Sequence, residues 1–386
     1  MLSKNILKRA FSTTKLSRDS NQALELGKFA IDFLQHGKPS PKVIDRVKLF
    51  HTDSVICGVS ALALKTNAPS LLKDEALSTS RTAKAIRAKP GHARVFGNLN
   101  LCEVEKAIAA NVSAVREWDS NGTVFGFNEK IPGHQAGEFG HNDFYPVVIA
   151  ACHHSTKING AQALRAMVLI DEIRGRLAEV FSLKTYKIDH VVHGAIASAV
   201  VYGALVGATP EQIEHAVGMF VAHYIPYRAI RAGKQLSDSK GASAAISTEA
   251  AILCVKRALK GFVGPKDIFR NPEAIFRLNQ PTQGESPFDI VLSTEGDDFA
   301  VMGMHFKLGL YEHQSAGAIE AILNLIYNRN FLEQHKHDNI EKIKIIAYEP
   351  AFGIIGDPAK KNPTTRQSAD HSMVYISNEF VNASYF

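Results

Sequence analysis

The chain has 386 residues, 45% hydrophobic and 21% charged, with a formal net charge of +6. That length and balance specify one large or two ordinary globular domains and exclude a disordered chain. No uncharged apolar run is long enough to span a bilayer. The basic excess sits largely at one end, which leaves little case for a nucleic-acid partner.

Residues 1–20 read as a mitochondrial presequence. "MLSKNILKRAFSTTKLSR" holds Lys4, Lys8, Arg9, Lys15 and Arg18, several Ser and Thr, and no Asp or Glu. That is the composition of an amphipathic matrix-targeting leader. "RAFS", Arg9–Ser12, resembles a matrix-protease cleavage site, so the expected location is the mitochondrial matrix. The four cysteines, Cys57, Cys102, Cys152 and Cys254, are far apart and form no C-x-x-C pair. They read as buried free thiols rather than a zinc knuckle or redox dithiol.

Residues 21–290 read as an all-helical domain. "PKVIDRVKLFHTDSVICGVSALAL", "LCEVEKAIAANVSAVREWD" and "AQALRAMVLIDEIRGRLAEVF" place apolar residues three and four apart. "ATPEQIEHAVGMFVAHY" opens with Thr209 as N-cap, Pro210 in the first turn and Gln212 three residues on. "GASAAISTEAAILCVKRALKG" is a further helix closed by Gly261. No βαβ pattern, G-x-G-x-x-G or G-x-x-x-x-G-K-[ST] occurs, which disfavours a nucleotide-binding enzyme. Turn formers crowd "NQPTQGESPFDIVLSTEGDDF". Residues 291–386 then read as a smaller α+β domain with one helix, "SAGAIEAILNLIYN", and one alternating strand, "IEKIKIIAYEP". The apolar pattern fades in the tail "SNEFVNASYF", so this second domain is expected to be C-terminally incomplete.

Four polar clusters interrupt the helical pattern: the long loop of Arg116–Pro146, "YKIDHVVH", "YRAIRAGKQLSDSKGAS" and "MHFKLGLYEHQSAG". A loop as long as the first, inside a compact domain, is usually functional. His190 and His193 stand at i and i+3. That pair fits a metal site, an acid–base pair or the polar end of a helix. Arg228, Arg231, Lys234 and Lys240 cluster, and so do His305, Lys307 and His313. Several histidines, a carboxylate and several cations suit an anionic substrate that loses a proton next to a carboxylate. The cations would stabilise the charge that develops. H-E-x-x-H and G-x-S-x-G are absent, which counts against a zinc protease and a serine hydrolase.

"YKIDHVVH", "SDSKGASAA", "YEHQSAGAIEA" and "RQSADHSMVY" together resemble the MmgE/PrpD family, in the right order and over nearly the whole chain after residue 20. That family includes 2-methylcitrate dehydratases, cis-aconitate decarboxylases and iminodisuccinate epimerases. The resemblance implies a mainly α fold, a large all-helical domain plus a smaller α+β lid, and usually a homodimer. It implies a lyase that needs no metal or other cofactor, acting on a small tricarboxylate. The reaction it points to is dehydration of 2-methylcitrate to 2-methyl-cis-aconitate in propionate breakdown. The alternatives are cis-aconitate decarboxylation on the same scaffold and a truncated, non-catalytic family member. Carried over by motif, Asp119, His141, His190, Lys240 and His313 are catalytic and Thr123 contacts substrate; His193, beside His190, and Arg228 and Lys234, in the basic cluster, are further substrate-binding candidates. The loop from Asp119 to His141 is longer than the common family pattern, and "SNGT" lacks its second aspartate.

Overall fold

The computed structural model describes residues 12–80, 90–122, 142–155, 158–231, 235–307, 309–335 and 339–383. The fold is mainly α. Its helices are α1 Gln22–His36, α2 Pro41–Ala63, α3 Asn67–Ser78, α4 Val104–Arg116, α5 Tyr145–His154, α6 Gly160–Val180, α7 Val191–Leu205, α8 Pro210–His223 and α9 Asp238–Leu259. After these come α10 Ile275–Asn279, α11 Ala316–Leu323, α12 Phe331–Gln334, α13 Glu349–Ile355, α14 Arg366–Ala369 and α15 Met373–Ala383. The described strands make three two-stranded ribbons. β1 (Thr13–Leu16) pairs antiparallel with β5 (Ile290–Ser293), β2 (Lys38–Pro39) parallel with β6 (Glu295–Gly296), and β3 (His92–Arg94) antiparallel with β4 (Leu101–Glu103).

Local chemistry sets the helix boundaries. Thr209 and Gln212 close a reciprocal capping box at the start of α8 with Pro210 in its first turn, and Asn159 and Gln162 do the same for α6. The Ser40 hydroxyl accepts from the Val43 amide at the start of α2. Gly261, at φ +90°, leaves the α9 axis in the left-handed region.

Helix α7 is the axis of the bundle. Val191 to Gly203 is buried throughout, and α1, α6, α8 and α9 pack around it. A helix apolar on all sides can only be a core helix. Each large aliphatic chain it buries contributes about 1.5–3 kcal/mol. Its small residues allow close packing. A methyl group added at Gly194 would meet the Phe144 ring at 2.0 Å. Phe144 in turn carries the Arg174 guanidinium over its face at 5.2 Å. Arg174 and the Tyr145 hydroxyl both donate to Asp171. This stack holds the chain at Asp143, whose role is described below.

Three features differ from the sequence reading. First, Thr13–Leu16, inside the expected presequence, is a strand in register with Ile290–Ser293. Leu16 is buried, and Lys15 and Arg18 pair with Asp289. Second, the main core runs past the boundary expected at 290, through Ile290, Leu292, Phe299, Val301 and Met304. A separate small core forms only beyond it, from Ala351, Ile355 and Met373 with Ala318, Ile345 and Ile354. Third, "IEKIKIIAYEP" is not a strand. Residues 341–348 form no helix or strand and pair with no strand among the described residues. The tail keeps more pattern than its composition announced: α15 buries Met373, Ile376, Ser377 and Val381, one side of a helix. Among the described residues, no single helix is long and apolar enough to cross a membrane.

Gly194→Ala tests the packing that seats Phe144. Overpacking there should cost about 1–3 kcal/mol, read as a lower urea midpoint at unchanged slope. An unchanged midpoint would show that Phe144 can give way.

Candidate functional site

Helix α4 ends at Arg116, and the chain then turns through Glu117 and Trp118 to Asp119. Asp119 has φ +52°, and its amide donates to the Arg116 carbonyl at 3.0 Å. A left-handed aspartate costs local strain that the surroundings must hold. Here the surroundings are cations. Arg116 Nη1 and Lys240 Nζ reach Asp119 Oδ1, the lysine at 3.3 Å. Lys307 Nζ and His371 Nε2 lie 3.4 and 3.6 Å from Oδ2. All five side chains are buried.

Each partner arrives on a different element. Lys240 stands in the first turn of α9. Lys307 follows Phe306, whose ring stacks on Phe50 of α2 at 4.2 Å, with Arg46 over both rings. His371 follows α14, with Asp370 Oδ1 at 2.5 Å from its Nδ1. Arg116 Nε also lies 3.6 Å from Asp143, which accepts from Asn121 Nδ2. Asn142 accepts from the Gly122 amide at 3.1 Å and donates to Asp53 at 2.9 Å. These bonds tie residues 121–122 to residues 142–143, the two stems of the long polar loop.

The second and third polar clusters of the sequence form one wall. Ile188 bridges Tyr227, and the Arg228 amide donates to the Lys187 carbonyl at 2.8 Å. Arg231 donates twice to Asp189, which also accepts from the Val191 amide at the start of α7. Arg231 lowers the Asp189 carboxyl well below its ordinary value despite burial. His190 lies 3.6 Å from the same carboxylate.

The electrostatics follow from burial. Burial, then the field of Arg116, holds Lys307 down to about 7 and Lys240 well below an ordinary lysine. Burial, then Lys240, holds His371 down to about 3, so its imidazole is neutral near neutral pH. Burial does the same to His190. Burial also raises Asp143 and Glu117, the latter against Arg366. An ammonium presents three donors, and the Asp119 contact uses one on each lysine. The lysines thus keep donors for a carboxylate brought up beside Asp119, with neutral imidazoles nearby.

The structure therefore brings together Asp119 and Lys240 from the expected set. His190 lies on the adjoining wall, within the field of Arg116 and Arg231. Arg228 is half-buried on that wall, close enough to act on Asp189 and His190. His313 is half-buried at the other edge, where burial, then Lys307 and His305, lower its pKa. His193 is buried one turn into α7. Thr123, His141 and Lys234 lie outside the described residues. Sequence reasoning did not assign Arg116, Lys307, Asp370 or His371 to the site. The signal for His371 was present in "RQSADHSMVY", and Lys307 stood inside a flagged cluster. Arg116 carried no signal beyond opening the first polar cluster at the last position of a helix.

Residues 25–284 match the MmgE/PrpD N-terminal domain. The chain is also 26% identical over 217 residues to the 2-methylcitrate dehydratase of Escherichia coli (strain K12). The matched stretch is 56% of this chain and 43% of that protein. The chain thus spans less than half the length of the curated relative it matches.

An incoming carboxylate favours a charged Lys307, so binding a polycarboxylate should take up a proton as the pH rises past about 7. The affinity for tricarballylate, fully ionised from pH 7 to 9, should fall over that range by up to about tenfold per pH unit. Calorimetry in buffers of different ionisation heat should report the uptake. A flat affinity would mean that Lys307 stays charged without ligand.

Proposed function

The chain belongs to the MmgE/PrpD family, and from that premise we propose that it is a lyase that dehydrates 2-methylcitrate to 2-methyl-cis-aconitate. The observation that carries this reading is the set of buried cations that meets at Asp119. Dehydration breaks the C–H bond next to a carboxylate, and its electron pair becomes the new double bond. The neighbouring C–O bond breaks, and the hydroxyl leaves as water with a proton from an acid. Negative charge grows on the substrate carboxylate as the proton departs. Lys240 and Lys307, already buried and fixed, would stabilise that charge without reorganising. Asp119 would hold the two ammonium groups at the spacing of one carboxylate. His190, with Arg228 and Arg231 on its wall, would face the other end of the substrate, and His313 would border the site from the second unit. His141 and Thr123 keep their assigned roles on the strength of the motif match, and Lys234 as a member of the basic cluster.

The same reading puts the enzyme in the mitochondrial matrix as a homodimer. Because Thr13–Leu16 pairs with β5, leader cleavage would fall ahead of Thr13, where "RAFS" lies, rather than at residue 20.

Incubation with 2-methylcitrate, citrate and cis-aconitate tests the reaction. The expected outcome is new absorbance of a conjugated double bond with 2-methylcitrate and no carbon dioxide. Carbon dioxide from cis-aconitate would replace the dehydratase with a decarboxylase. Lys240→Ala should lower turnover by about 10²–10³ with the circular dichroism spectrum retained. Turnover near wild type would remove Lys240 from the site.

A further inference from the structure

We propose that Asp370 and His371 form the dyad that takes the proton from substrate, delivered to the body of the enzyme by the segment around α14. This assignment rests on the lyase reading above and names a group that reading leaves open.

The geometry is that of an oriented base. A carboxylate 2.5 Å from Nδ1 accepts its proton and leaves the lone pair on Nε2. Nε2 lies 3.6 Å from Asp119 Oδ2, beyond hydrogen-bond range, and makes no other hydrogen bond among the described residues. Both oxygens of Asp119 are already engaged, Oδ1 by Arg116 and Lys240 and Oδ2 by Lys307. A substrate carboxylate between the two lysines would place its neighbouring C–H against Nε2 of His371, whose lone pair is unspent among the described residues. The proton then moves from that carbon to Nε2, the imidazolium is balanced by Asp370, and the C–H electron pair enters the new double bond.

The position of the dyad is fixed by bonds to the far side of the cluster. The Leu236 amide donates to Ser368 Oγ at 2.7 Å, and Thr365 Oγ1 donates back to the Leu236 carbonyl at 2.7 Å. Gln235 donates to the Ala359 carbonyl at 3.0 Å and accepts from the Thr364 amide at 2.9 Å. Gln367 donates to Asp238 in the first turn of α9 at 3.0 Å. Arg366 spans Asp370 and Glu117, at 2.8 and 2.9 Å, over the Trp118 ring. The loop that carries Asp119 and the helix that carries Lys240 are thus the surfaces on which the dyad is mounted.

Binding would also raise the basicity of the dyad. The charged groups that act on His371 are Asp370 and Asp119 on one side and Lys240 and Lys307 on the other. Burial, and after it the two lysines, hold its proton affinity down. An anion bound between them cancels that field, so the imidazole becomes a stronger base when there is a proton to take.

The test compares wild type, His371→Gln and Asp370→Asn for turnover of 2-methylcitrate, deuterium exchange into substrate from heavy water, and affinity for tricarballylate. His371→Gln should lower kcat and the exchange rate together by at least about 100-fold, with tricarballylate affinity within about threefold of wild type. Asp370→Asn should cost less and shift the acidic limb of the kcat profile. A His371→Gln enzyme within about threefold of wild type in kcat would overturn the proposal. So would parallel losses of kcat and tricarballylate affinity, which mark a structural role. If wild type turns over no tricarboxylate, the lyase reading fails separately. The dyad is then judged from histidine nitrogen resonances. An Nδ1-protonated His371 whose Nε2 signal moves on tricarballylate addition supports it. An Nε2-protonated ring, or a signal unmoved at saturation, overturns it.

Discussion

A carboxylate buried among cations is stable only while every partner stays in place. Asp119 satisfies Arg116, Lys240 and Lys307 at once, and each of those charges has left water to reach it. Removing one member of such a buried pair typically costs about 3–5 kcal/mol, because the charge left behind is stranded. The cluster is therefore a constraint on the fold as much as a feature of it. The turn after α4 accepts a left-handed aspartate, and α9 accepts a lysine at a buried position in its first turn. Neither choice helps a helix bundle fold. Local choices that oppose stability tend to collect where function lies.

The bundle supplies what the cluster cannot. With α7 enclosed on all sides, the ends of α4 and α9 are held against a close-packed interior. Stacked rings hold Lys307 to α2, and the Gly194–Phe144 contact holds Asp143 to α7. Lys307 and Asp143 are thereby each carried by a neighbouring ring packed into the core. The charges lose little freedom when a ligand arrives, which is the condition for electrostatic stabilisation without reorganisation.

How much of this the sequence revealed depends on the range of each interaction. Capping at Thr209 and closure at Gly261 involve residues three or four apart, and both stand where the sequence put them. Asp119, Lys240 and His190 were found because they break a helical pattern or sit in a recognisable motif. Lys307 and His371 lay inside segments that the sequence singled out, but their shared partner, Asp119, is far off in the chain, and the local pattern does not record that pairing. The strand expected at 341–348 failed for a related reason. Alternation gives a segment two faces, but a ladder needs a second strand, and none of the described residues supplies one. The pairing of Thr13–Leu16 with Ile290–Ser293 was hidden by composition. Lys15 and Arg18 look like leader charges until Asp289 is placed beside them.

The division of labour between the two units then has an energetic logic. The helical body holds the carboxylate, the arginine and both lysines, whereas Asp370 and His371 come from the smaller unit. Docking that unit removes water from charges that would otherwise be hydrated, and desolvation opposes it. The hydrogen bonds at Gln235, Leu236 and Asp238 are mostly to neutral groups and lie to one side of the cluster. At about 0.5–1.5 kcal/mol each, several of them together can offset a moderate desolvation cost without crowding the site itself. A substrate that brings its own negative charge between the lysines lowers that cost further. An anion set between the lysines would thus also favour the docked position of the smaller unit.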